Sequence, residues 1–97
     1  MLHTVNKPPL DSCALQSAVR IAAPGAPILL LEDGVYAAKA GARSEWLVAS
    51  ALAKHPVYAL EPDLRARGIV DVVKGVTLIG YDGFVELVET HRVVTWA

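Results

Sequence analysis

Ile28-Leu29-Leu30-Leu31-Glu32-Asp33-Gly34-Val35-Tyr36-Ala37-Ala38, introduced by Pro27, is the stretch around which the rest of the chain is arranged. A short continuous apolar run such as residues 28–31 reads as a strand buried on both faces, as a parallel sheet requires. Asp33 is then placed to accept hydrogen bonds from the free N–H groups of the next element, as an N-cap does. Gly34 lets the backbone turn sharply. Val35 to Ala38 would open a helix. Strand, acidic turn and helix start make the front half of a β-α-β unit.

Upstream of this unit, Met1 to Val5 is β-compatible and reads as the first strand, ended by Pro8 and Pro9, which cannot continue a central ladder. Asp11 or Ser12 then caps a helix running to about Ala23. Leu15, Ala18, Val19 and Ala22 give it an apolar stripe. Leu10 and Leu15 occupy the two positions of a hydrophobic staple, and Pro24-Gly25 ends the helix.

Downstream, residues 35–54 are helical in tendency with an interruption at Gly41. Ser44 is placed as a new N-cap with Glu45 in the first turn, and Leu47, Val48, Ala51 and Leu52 form the buried side. His55-Pro56 leads into a third strand, Val57-Tyr58-Ala59-Leu60. A short helix begins at Glu61-Pro62-Asp63 and ends at Gly68. Gly75 to Ile79 is the fourth strand, and Asp82 caps a helix with Phe84, Leu87, Val88 and His91 on one face. Arg92 to Trp96 is the last strand. Five strands alternating with helices imply a three-layer α/β fold with a five-stranded, mainly parallel sheet flanked by helices.

Ninety-seven residues make one domain, residues 1–97. Hydrophobic residues make up 54% and mean hydropathy is +0.40, rich for a globule this small. Small open sheets leave edges that need covering, so the composition favours apolar surface that meets another chain. Net charge is −1, with no long run of either sign, which argues against a direct nucleic-acid grip. No apolar stretch approaches the ~20 residues of a membrane span. Met1 to Lys7 lacks the charged and apolar regions of a signal peptide. A single cysteine, Cys13, excludes an internal disulfide framework and any cysteine-rich metal site. These features point to a cytoplasmic protein with no cofactor and no metal.

Ligands of open α/β sheets usually sit beyond the carboxyl ends of the strands. Asn6 and Lys7, Asp33 and Gly34, Glu61 and Asp63, and Tyr81 and Asp82 would stand there. Clustered carboxylates can bind Mg²⁺ or perturb one another, but an Asp at a helix start ordinarily caps that helix. No glycine-rich nucleotide cradle is present. His3, His55 and His91 lack metal-ligand spacing. Cys13 falls in the first turn of the first helix, where N–H groups and the dipole favour the thiolate, which makes it the one thiol candidate.

Leu2-His3-Thr4-Val5-Asn6-Lys7, Leu29 to Ala38, Val57-Tyr58-Ala59-Leu60 with Asp63-Leu64-Arg65-Ala66-Arg67-Gly68, and Tyr81-Asp82-Gly83-Phe84-Val85-Glu86-Leu87 followed by Trp96 together resemble the TusB/DsrH family over essentially the whole chain. The resemblance implies the DsrE-like fold and a sulfur-relay subunit. Such chains assemble with TusC/DsrF-like and TusD/DsrE-like subunits into a dimer of heterotrimers that passes persulfide sulfur between cysteines. The sulfur ends either in 2-thiouridine at the wobble position of certain tRNAs or in sulfur oxidation.

The family's relay cysteine lies just after strand three of the DsrE-like partner. Glu61-Pro62-Asp63 stand at that place here, so the resemblance implies a non-catalytic structural subunit. Some DsrH members carry a cysteine in helix one. Aligned without gaps on Asn6 and Asp33, that position falls near Ala18, on another helix face from Cys13. Two other readings stay open: a stand-alone thiol sulfurtransferase using Cys13, and a homomeric binding module using the carboxylate turns.

Overall fold

The structure is a computed structural model describing Met1–Ala97. Five strands, β1 (Leu2–Val5), β2 (Ile28–Leu30), β3 (Val57–Leu60), β4 (Thr77–Ile79) and β5 (Val93–Trp96), form one sheet in the order β4-β3-β2-β1-β5. Every neighbouring pair is parallel. The two edges explain which strands are apolar throughout. β1, β2 and β3 lie inside the sheet and are almost wholly buried, whereas edge strands β4 and β5 are largely exposed. Strands buried on both faces need continuous apolar runs, and edge strands do not.

The two polar residues of β1 are buried with partners. Thr4 Oγ1 is 3.1 Å from Thr95 Oγ1 across the ladder. His3 Nδ1 accepts from Trp96 Nε1 at 3.0 Å, the two rings stacking with centroids 6.1 Å apart.

Helices α1 (Ala14–Ile21), α2 (Glu45–Leu52) and α3 (Glu61–Ala66) connect successive strands running one way across the sheet. Right-handed crossovers put all three on one face. There Val5, Ile28, Leu30, Val57 and Ala59 pack with Leu15, Ala18, Val35, Val48 and Leu64 into the main core. Helix α4 (Tyr81–Thr90) instead runs from edge strand β4 to edge strand β5. It therefore crosses the opposite face, where Gly83, Leu87 and Thr90 lie by Tyr58 and Ile79. No helix of the fold is long and apolar enough to cross a membrane.

Several local expectations are corrected. Helix α1 begins at Ala14, and Ser12 Oγ accepts from the Ala14 N–H at 3.1 Å rather than from deeper in the helix. Leu10 is 68% exposed, so the hydrophobic staple is not made. Glu32–Ala38 forms a 3₁₀ segment in place of an α-helix opening at Val35. It closes at Lys39, and Gly41 follows with a φ of +79° that favours glycine. Ser44 takes the N-cap position of α2 without a side-chain bond, and Glu45 Oε1 accepts from the Gly41 N–H at 2.9 Å instead. Gly80 is the N-cap of α4, which leaves Asp82 in the first turn, favourable there for its charge rather than as a cap.

Candidate functional site

The turn after β2 meets the carboxyl ends of β1 and β3. Glu32 adopts a positive φ of 49°, the one non-glycine residue to do so, and turns the chain out of the strand. Gly34 has no positive φ; what it supplies is closeness. A Cβ there would run into the Val5 carbonyl oxygen, which already accepts from the Leu31 N–H at 3.1 Å. The glycine thus lets the 3₁₀ segment pass directly over the end of β1.

Asp33 does not cap anything. Its Oδ1 accepts from Arg67 Nε at 2.9 Å, and no side-chain cap bond closes the 3₁₀ segment. Arg67 also donates from Nη1 to the Asp63 carbonyl oxygen at 3.2 Å, and Asp63 Oδ2 accepts from the Glu32 N–H at 2.6 Å. The three side chains clamp the β2 turn to α3. Two of the acidic turns marked by the sequence are therefore brought together, as parts of an ion-paired support rather than as free carboxylates. Arg67 was the missing member. Its partner stands 34 residues away, so no local pattern announces the pair. No three His, Cys, Asp or Glu side chains converge into a group that could hold a metal ion.

Beside this clamp lies an open cleft of about 670 Å³ between the Pro8–Asp11 loop and the junction of the 3₁₀ segment with α2. Leu10 and Tyr36 supply apolar walls, Lys39 and Arg43 two cations, Asp11 and Asp33 two anions. The mixture has no dominant charge and no thiol. Cys13 does not line it. That thiol is exposed at the N-cap of α1, just before the first turn expected for it, in a shallow depression with Gln16, Ser17 and Arg20.

The histidines lie elsewhere. His3 is near the amino ends of the strands, and burial, then the amino terminus and His55, hold its pKa below the usual 6.5. His55 Nδ1 donates to the Ala26 carbonyl at 2.9 Å. His91 is the C-cap of α4, its Nδ1 3.0 Å from the Leu87 carbonyl. None reaches the cleft.

Comparison with known proteins adds what geometry cannot. The family model described as DsrH-like protein matches residues 7–94. Protein TusB of Serratia proteamaculans is 42% identical over 93 residues, covering 95% of each chain. Protein TusB of Erwinia tasmaniensis is 37% identical over 100 residues, covering 99% of this chain and all of that one. Among solved structures, the ychN protein from E. coli superposes with a TM-score of 0.82 over 98% of this chain, at 18% identity, a likeness of fold alone.

Proposed function

The chain belongs to the DsrH-like family, and from that premise we propose that it is a structural subunit of a sulfur-relay complex, working in the cytoplasm with TusC/DsrF-like and TusD/DsrE-like subunits in a dimer of heterotrimers. In such a relay a thiolate on one chain attacks the outer sulfur of a persulfide on another. The S–S bond breaks, the donor cysteine leaves as a thiolate, and the acceptor becomes the persulfide. The relatives named TusB favour the branch that ends in 2-thiolation of the tRNA wobble uridine over sulfur oxidation.

The observation that carries the structural role is at the end of β3. Where the family's transferring partner has its thiol, this chain has Glu61-Pro62-Asp63, and Asp63 is engaged by the Glu32 N–H and bridged through Arg67 to Asp33. The position serves support. Cys13 lies outside the cleft at the strand ends, in a separate shallow depression.

The test is a relay reconstituted from the three subunits, run with wild type and with Cys13→Ser. Transfer rates should agree within about twofold, since a group outside the reacting path leaves the transition state unchanged. A persulfide trapped on Cys13 during turnover, together with loss of transfer in the variant, would overturn this role and favour the thiol sulfurtransferase.

A further inference from the structure

Helix α4 carries a wider apolar arc than the sheet takes up. At about 100° per residue, Leu87 and Phe84 turn towards the sheet, while Tyr81, Val85 and Val88 continue the arc onto the outer side. Those three are 61%, 49% and 39% exposed. A helix serving only to cover a sheet keeps its apolar residues on the covered side and polar ones outside. Along one flank of the exposed stripe run Asp82 and Glu89, with Glu86 at the edge of that flank where the helix meets Tyr58 and Ile79, and no Lys or Arg occurs between Tyr81 and Thr90. None of these carboxylates is in an ion pair, since the two salt bridges of the fold involve Glu61 and Asp33. The outer face is therefore apolar along one line and uncompensated negative along the next.

We propose that this outer face of α4 docks a companion subunit through an apolar patch bordered by Lys or Arg on that subunit. The inference rests on the subunit reading above and adds the face and the chemistry of the contact. Apolar contact supplies the burial, and opposite charge at the border steers and orients the encounter. A second copy of this chain packed antiparallel fits poorly. Two α4 helices packed antiparallel about a two-fold axis set each flank against its own equivalent, so carboxylates would meet carboxylates. The charge that disfavours self-pairing is the charge that favours a basic partner.

The test is a titration of this chain against the copurified DsrE-like and DsrF-like pair, at low and at moderate salt. Val85→Asp and the double variant Glu86→Lys/Glu89→Lys are compared with wild type and with Trp46→Ala, an exposed aromatic on α2. Thermal melts should show all variants folded, since no α4 residue is buried. Each α4 variant should lose about tenfold or more in affinity, and the charge-reversed one should also lose the weakening by salt, as expected of a desolvated apolar anchor and a charged border. Trp46→Ala should bind like wild type. Wild type that binds while both α4 variants match it within about twofold overturns this inference and leaves the subunit reading standing. Wild type that does not bind the pair at all overturns both.

Discussion

The two faces of the sheet are finished in different ways. On one, side chains of β1, β2 and β3 interlock with α1, α2 and the 3₁₀ segment, and Leu15, Val35 and Val48 are essentially inaccessible. On the other, α4 crosses alone and has no buried residue, although Leu29 and Leu60, on that face by strand alternation, are themselves buried. A single helix can thus cover a sheet while leaving its own apolar surface free. The first face holds the fold together, and the second has surface left to offer.

The sharpest way to break this contrast is a matched pair of truncations. Leu30→Ala should cost about 2–5 kcal/mol, because the side chain is fully buried and its cavity cannot collapse freely. Val85→Ala should change stability by no more than about 0.5 kcal/mol. Denaturant unfolding measures both, and equal losses would mean that the faces do not differ.

Gly34→Ala comes next. It should destabilise by about 1–3 kcal/mol, the usual cost of forcing atoms into filled space, since the new methyl meets the Val5 carbonyl oxygen. Full stability in a thermal melt would show that the 3₁₀ segment can lift off β1 without cost. Arg67→Ala probes the clamp on the same face. With Asp33 about half exposed, the loss should be about 0.5–1 kcal/mol and should shrink in salt.

The smallest effect concerns acid. His3 has a lowered pKa in the fold, so its contribution to stability is complete above 6.5 and is lost as pH falls through the lowered value. Protonation also removes the Nδ1 acceptor that Trp96 uses. Melts taken from about pH 7.5 to about pH 5 should fall more steeply for wild type than for His3→Gln. Parallel curves would remove His3 as the cause.

The contrast also explains how much could be read from the chain directly. The interior strands and α1 announce themselves because burial against several neighbours demands continuous aliphatic runs and a stripe at helical spacing, as in Ile28–Leu30 and Leu15, Ala18 and Ala22. Parallel order follows from the alternation of strand and helix. What local pattern could not reveal was where each turn acid would go. Asp33 has the position of a cap, but Arg67, remote in sequence and close in space, takes its carboxylate. Asp82 likewise precedes an apolar run, yet the helix starts at Tyr81 and absorbs it. Val88 follows Leu87 and belongs to the same apolar arc, but it lies at the arc's outer edge and is 39% exposed. Family resemblance, in turn, supplied the companions that no composition or spacing names.

Whether this chain works in company is measured most directly by sedimentation velocity of the three chains coexpressed, with the isolated chain run alongside. A single hetero-oligomeric species containing all three is expected, sedimenting faster than the isolated chain. A monodisperse monomer that ignores both companions at micromolar concentration would contradict the subunit reading.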